Sequence, residues 1–371
     1  MRWSALPFVN AVRQVKHVTF AVPGDLDTPT GGYRYDRRIT QELRRLHWQV
    51  DVLNLGQGFP FPTAAQRVNA LRILSAAPAG CPIILDGLAF GALPEASELR
   101  SRTTLIALVH QPLALTSGLS TAQAHAFRES ERVALGAAAR VLVTSETTGR
   151  IIVTDYGVNA QRISVVRPGI DFSSQASAGN DVNVRLLSVG SLVPDKGYDL
   201  LIAALAAVCD LPWRLTIAGD STRDPATAAR LEADLSAHGL SNRVAVLGAV
   251  PFERVIELYL ASDIFVLSSR FEGYGMALAE ALAHGLPIIS TTAGAIPETV
   301  PSDASILVPP CDVVALSQAL RLLISDPCER RRLAMNARVA AASLSRWDEA
   351  ARLFADAIQK SVESNYRLLT A

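Results

Sequence analysis

The sequence has only four cysteines, Cys81, Cys209, Cys311 and Cys328, and none lie at metal-ligand spacing. That excludes a disulfide-stapled scaffold and a thiolate metal centre, and it predicts reduced core or surface thiols in a cytosolic protein. The six histidines form no HExxH cluster, which argues against a zinc site. No GxxxxGK[ST] stretch occurs, which removes the P-loop nucleotide hydrolases. No apolar run approaches the ~20 residues that cross a bilayer. The opening MRWSALPFVNAVRQVK has neither a sustained apolar core nor a cleavage site, so export is not expected. An excess of one charge is also missing. Lys and Arg number 35 against 35 Asp and Glu, whereas a nucleic-acid groove calls for a basic excess. The balance is uneven along the chain: residues 1–172 hold 18 basic and 13 acidic side chains, the remainder 17 and 22. Five of the arginines fall in RYDRRITQELRR, which reads either as a solvated helix face or as a surface for an anionic membrane or acceptor.

What the chain does have is material for two cores. At 371 residues and 49% hydrophobic composition it is long for one domain. HVTFAVPG, QVDVLNLG, PIILDG, LIALVHQ and RVLVTS read as strands in the first half. RLLSVGS, RLTIAGD, RVAVLGAV, IFVLSS, PIISTT and SILVPP do so in the second. Between them YRYDRRITQELRRLH, GYDLLIAALAAV, PATAARLEADLSAHG and GMALAEALAHG have helical spacing. Such alternation predicts an α/β protein with parallel sheets covered by helices on both faces. The pattern occurs twice, on either side of the polar RPGIDFSSQASAGNDVN, which reads as a linker. The expected architecture is therefore two doubly wound, Rossmann-like domains over 1–172 and 173–345, with a helix over about 346–371 returning to the first. The domains should face each other across a cleft, with ligands at the C-terminal ends of the strands.

The chemistry concentrates in RFEGYGMALAEALAHGLPIIS. DIFVLSS is a strand, and GMALAEALAHG is a helix that stops at Gly285 with Pro287 just beyond. Gly273 and Gly275 in the intervening turn would let a ligand approach the helix-opening amides, which favour a phosphate or a polar sugar edge. Glu280 sits about two turns further on, in a helix that is otherwise largely apolar. A carboxylate there is costly unless paired, and a ribose diol offers it two hydroxyl donors, each worth about 1.5–3 kcal/mol. Glu272, before the helix, would face the group beyond the phosphates. The plain alternative is a capping acid followed by a solvated helix acid. A dinucleotide fold fits less well. Its third small residue is replaced by Leu278, and the next strand ends in Ser290, Thr291 and Thr292 with no acid for a ribose. Lys196, in the loop VPDKG before a helix, is placed either to meet a diphosphate or simply to face solvent.

VGSLVPDKGYDLLIAAL, LTIAGDS, VAVLGAV and SSRFEGYGMALAEALAHGLPIISTTAGAIPETV together resemble the nucleotide-sugar half of retaining family 4 glycosyltransferases of the GT-B fold. The resemblance runs from about residue 18 to 355, and the Glu-x7-Glu stretch followed by TTAGAIPE is its specific part. It implies that Glu272 holds donor-sugar hydroxyls, with Gly273, Tyr274 and the backbone of Gly275 and Met276 close to sugar and phosphates. Glu280 would take the ribose, Lys196 would neutralise the diphosphate beside Gly190 and Ser191, and the backbone at Gly219 and Ala249 would approach the nucleotide. PTGGYRYDRR resembles the family's glycine-rich loop, which puts Gly31 and Gly32 under the donor phosphates. LVHQPLAL makes His110 the histidine beside the reacting carbon; on its own it would read as structural. One position departs from the pattern. The arginine that commonly follows the glycine of VG is Ser191 here, and Arg34, Arg223 and Arg270 are the candidate replacements.

The resemblance implies sugar transfer from a nucleoside diphosphate sugar to an acceptor hydroxyl with retention, by a front-face route without a protein nucleophile. The expected catalytic residues are His110, Glu272 and Lys196. Alternatives are a silent GT-B module that binds nucleotide or glycan, and a GT-B phosphorylase or epimerase. No metal and no bound cofactor are expected, because Lys196 and helix amides supply positive charge and the acids of DLD at 25–27 lie in a Gly/Pro-bounded loop. The expected partners are the nucleotide-sugar donor and a glycan or lipid-linked acceptor, for a cytoplasmic protein with peripheral membrane contact through its first domain.

Overall fold

The computed structural model describes residues 16–171, Ala176 and residues 183–370. The opening stretch read for a leader, residues 1–15, and most of the linker lie outside the described residues. The first half runs β1 (His17–Val22), α1 (Gly31–Arg45), β2 (Gln49–Asn54), α2 (Ala64–Ser75), β3 (Ile83–Asp86) and α3 (Gly87–Phe90). It continues through β4 (Leu105–Val109), α4 (Thr121–Ala137), β5 (Arg140–Val143), α5 (Glu146–Tyr156) and β6 (Ile163–Val165). These strands form one six-stranded sheet in the order β2-β1-β3-β4-β5-β6, and each pairing is parallel, with Val18 opposite Val50 and Phe20 opposite Ile84.

The second half repeats the scheme. It contains β7 (Val184–Val189), α6 (Tyr198–Ala206), β8 (Trp213–Ala218), α7 (Pro225–Ala237), β9 (Val244–Val246) and α8 (Phe252–Leu260). After these come β10 (Ile264–Leu267), α9 (Met276–Ala283), β11 (Ile288–Thr291), α10 (Ile296–Thr299) and β12 (Ser305–Val308). The sheet order is β12-β11-β10-β7-β8-β9, all parallel. Its central strands are near-continuous apolar runs because helices cover both faces; every residue of β10 and β11 is buried. The helices α11 (Val313–Ser325), α12 (Pro327–Ala341) and α13 (Trp347–Thr370) close the chain.

Each sheet reverses its strand order once, between β1 and β3 in the first and between β7 and β10 in the second. Those reversals open a crevice at the strand ends, where loops can receive a ligand. The last helix returns to the first half. Trp347, Ala350, Phe354, Ala357 and Ile358 of α13 join Val18, Phe20, Tyr35 and Ile39 in one buried cluster, and Phe354 stacks on Phe20 at 6.3 Å between centroids.

Every strand expected from the sequence is present, and β6 is an addition. Helices α2, α3, α4, α5, α8, α10, α11 and α12 are additions too. The arginines of RYDRRITQELRR are engaged within the molecule. Arg34 reaches Glu280, Arg37 the Leu26 carbonyl, Arg38 Asp171, Arg44 the Val50 carbonyl and Arg45 Glu42. Cys81 is buried, while Cys209, Cys311 and Cys328 are exposed free thiols. Among the described residues no helix is long and apolar enough to cross a membrane.

Candidate active site

A cleft of about 940 Å³ lies between the two sets of strand ends. Of the residues singled out from the sequence, all those expected to bind the donor or act in catalysis line it: His110, Gly31 and Gly32 from the first half, and Gly190, Ser191, Lys196, Gly219, Ala249, Glu272 to Met276 and Glu280 from the second.

The turn between β10 and α9 builds one wall. Gly275 caps α9 with φ near 90°, a left-handed conformation suited to glycine. The Gly275 carbonyl accepts from the Leu278 and Ala279 amides, which leaves the Met276 and Ala277 amides as orphan helix donors at the cleft. Gly273 has a second reason besides the one expected. A β-carbon there would stand 1.8 Å from the His110 carbonyl oxygen, so this cleft-lining glycine also lets the two halves touch. Thr148 also donates its hydroxyl to the Gly273 carbonyl, at 3.2 Å. Gly219 likewise serves chain packing, since its β-carbon would fall 1.8 Å from the Gly190 carbonyl.

Both acids of the Glu-x7-Glu stretch are buried, with 7% and 6% exposure for Glu272 and Glu280, which rules out the solvated-acid reading. Glu272 accepts from the Lys196 ammonium at 2.5 Å and from the Ser269 hydroxyl at 2.6 Å. Its backbone is held by TTAGAIPE: the Ala295 amide donates to the Glu272 carbonyl at 2.8 Å. Glu280 accepts from the Tyr259 hydroxyl at 3.1 Å and from Arg34, which crosses from α1 in the other half. Arg34 in turn lies over the Phe252 ring at 3.8 Å. Phe252 adjoins Ala249, Val250 and Pro251 on the wall expected to meet the base.

His110 leaves the end of β4 and lies against the glycine-rich loop, its Cδ2 3.3 Å from where a Gly32 β-carbon would be. Its Nε2 is 3.0 Å from Asp36 of α1 and 3.5 Å from Asp86 at the end of β3. Burial alone would lower the imidazole, but the Asp36 carboxylate, with Asp86 behind it, outweighs burial and holds the ring up at about 10. The two carboxylates thus favour the imidazolium form. Burial pushes Asp36 up to about 7, against the pull of His110 and with Asp86 adding to it. Asp36, Asp86 and His110 place their ligand atoms within 4.8 Å of one another, a donor set that would also suit a divalent cation.

The sequence reading missed Asp36 and Asp86, whose nearness depends on β1, β3 and β4 lying side by side. It also missed two acids that join the halves. Glu298 accepts from the Glu146 and Thr147 amides at 2.9 and 3.0 Å, capping α5, and Asp195 accepts from the Ser117 amide at 2.6 Å. Of the three arginines considered for the place of the missing one, Arg270 lies off the cleft wall and is held bidentately by Asp199 at 2.9 and 2.7 Å. Arg34 and Arg223 line the cleft.

Two Rossmann-like sheets facing one cleft, with cations and carboxylates at the strand ends, constitute the GT-B arrangement of glycosyltransferases. Solved structures share it. Sucrose-phosphate synthase from Thermosynechococcus elongatus is 20% identical with a TM-score of 0.79, covering 92% of this chain and 98% of that one. A structure of Anabaena HepE in complex with UDP-glucose is 19% identical with a TM-score of 0.73, covering 93% and 100%. In sequence, residues 170–340 match the family described as glycosyl transferases group 1, and residues 82–174 match glycosyltransferase family 4. Together the two matches take in residues 82–340, parts of both halves of the cleft, and relate the chain to the family 4 glycosyltransferases. A D-inositol 3-phosphate glycosyltransferase of Xylanimonas cellulosilytica is 30% identical over 61% of this chain, a stretch that spans 58% of that relative. An MMP alpha-(1->4)-mannosyltransferase of Mycolicibacterium hassiacum is 26% identical over 82% of this chain and 76% of its own length.

Proposed function

We propose that the protein transfers a sugar from a nucleoside diphosphate sugar to an acceptor hydroxyl with retention at the anomeric carbon. The observation that carries this reading is convergence: Glu272, Glu280, Lys196 and the α9 amides meet His110 in one cleft. Glu280 suits the ribose diol, Glu272 the donor-sugar hydroxyls, and Lys196 the diphosphate. The relation to family 4, and neighbours whose structures hold UDP and UDP-glucose, support a nucleotide-sugar donor.

In the reaction the bond from the anomeric carbon to the phosphate oxygen breaks, and the acceptor oxygen bonds that carbon on the same face. The acceptor's proton passes to the departing phosphate oxygen. His110 is suited to positioning and charge stabilisation rather than to taking that proton, because the two carboxylates beside it favour its protonated form. Stabilisation of the leaving diphosphate falls to fixed dipoles and cations. Lys196 reaches it by exchanging Glu272 for phosphate oxygens, and no divalent metal is required. Contacts between the halves at Glu298, Asp195 and Gly273 would restrict water near the donor.

The acceptor side is the mouth of the first half. Phe61 is 57% exposed there and packs on Phe127 at 5.2 Å, beside Pro60 and Leu119. An acceptor with an apolar part, glycan or lipid-linked, suits that mouth. The test is incubation with UDP-, GDP- and ADP-sugars and a panel of such acceptors. Nucleoside diphosphate released only when acceptor is present, with the donor's anomeric configuration in the product, is the expected result. Nucleotide binding without turnover on any acceptor would reduce the protein to a binding module.

A further inference from the structure

Five cationic or protonatable basic side chains line the cleft: Arg34, Arg37, His110, Lys196 and Arg223. Four are engaged. Arg34 holds Glu280, Arg37 donates to the Leu26 carbonyl at 2.9 Å, His110 lies between Asp36 and Asp86, and Lys196 bonds Glu272 at 2.5 Å. Arg223 has no ion pair or side-chain hydrogen bond among the described residues.

Its position is built by the chain around it. Asp220 accepts from the Thr222 amide at 2.8 Å and hydroxyl at 2.7 Å, which fixes the turn just before Arg223. That turn runs beside the loop that lacks an arginine. The Leu192 amide donates to the Asp220 carbonyl at 2.8 Å, and a Gly219 β-carbon would be 2.9 Å from the Ser191 nitrogen. On the opposite wall stands Tyr33, next to Gly32. Burial and Asp86 raise its phenol, while the charge of Arg223 draws it down, so the guanidinium acts across the cleft on the glycine-rich loop.

We propose that Arg223 is the second fixed cation for the donor diphosphate, reaching from the β8–α7 loop in place of the side chain that position 191 lacks. This rests on the nucleotide-sugar reading above. A guanidinium offers phosphate a planar fork of donors, complementing the point charge of Lys196. Arg34 fits the role less well because its guanidinium lies over the Phe252 ring, on the wall expected to meet the base, whereas the Arg223 turn adjoins Ser191.

Calorimetric titration with UDP, GDP and ADP, and with uridine, guanosine and adenosine, tests the assignment. For the diphosphate that wild type binds, Arg223→Ala should weaken affinity about tenfold to a hundredfold, the range of a charge-assisted hydrogen bond. Affinity for the matching nucleoside should be unchanged. Arg223→Lys should keep part of the affinity, and Ser191→Arg added to Arg223→Ala should recover most of it. Arg230→Ala, an exposed cation on α7 away from the cleft lining, serves as the control and should bind as wild type. Wild-type affinity for the diphosphate in Arg223→Ala, or an equal loss for the nucleoside, would overturn the proposal. Failure of wild type to bind any of the three diphosphates would instead overturn the transferase reading, and this inference with it.

Discussion

Glu272 and Glu280 have the same chemistry, and the proposed function gives them different tasks, so their variants should separate. Glu280→Gln is expected to weaken nucleoside diphosphate binding about tenfold to a hundredfold whether or not a sugar is attached, from one charge-assisted bond to the ribose. Glu272→Ala should lower turnover of the sugar donor and leave free nucleotide affinity nearly intact. Calorimetry beside steady-state rates checks both, and the opposite pattern would exchange their roles. His110 makes a prediction about pH. Its folded pKa is raised above the ordinary histidine value, to about 10. The stabilisation from holding the ring protonated is therefore lost as pH rises from the unfolded value near 6.5 through about 10, a window in which Asp36, pushed up to about 7, is ionised over most of the range. Between pH 7 and 10 the thermal midpoint of wild type should fall more steeply than that of His110→Gln. Parallel slopes would mean that the ring is not held as an imidazolium.

At the scale of elements, the turn from β10 into α9 serves as a joint between the halves. Gly273→Ala would drive a β-carbon into the His110 carbonyl, 1.8 Å away, so the variant should lose about 1–3 kcal/mol or more of stability and most of its activity. Gly136 lies exposed within α4, with no heavy atom within 4 Å of where a β-carbon would stand. Gly136→Ala should stabilise by about 0.5–1 kcal/mol, and chemical denaturation of the pair measures both. The strands were legible because each is a short apolar run bounded by turn residues. β6 escaped because three residues, Ile163 to Val165, are too few to show a period. Helix α2 buries only Ala70 and Leu74, so its sequence carries hardly any stripe to read. Within the site, Glu272, Glu280 and Lys196 could be found because each sits at a fixed distance from a glycine or a helix start. Asp36 and Asp86 are lone acids in a helix and at a strand end, and only the strand order brings them to His110. The packing reason for Gly273 was hidden likewise, because the atom it avoids belongs to the other half.

For the molecule as a whole, α13 makes the end of the chain part of the first core. Phe354 is fully buried against Phe20, and Phe354→Ala should cost about 3–5 kcal/mol, read as a lowered denaturation midpoint. Metal dependence is another property of the whole enzyme. If, as proposed, Lys196, Arg223 and the α9 amides are the positive groups that meet the diphosphate, activity should survive excess EDTA. Loss restored by magnesium or manganese would point to Asp36, Asp86 and His110 as a cation site. The bond between Arg34 and Glu280 has a wider consequence. It ties α1 of one half to α9 of the other, so a nucleotide that claims Glu280 must first unseat a strut between the halves. Filling the site and freeing the halves to shift become one event, and product departure lets the strut re-form. Removing the strut alone, with Arg34→Gln, should speed nucleotide entry and exit together in stopped-flow measurements, as when a latch is lifted from a door that still fits its frame.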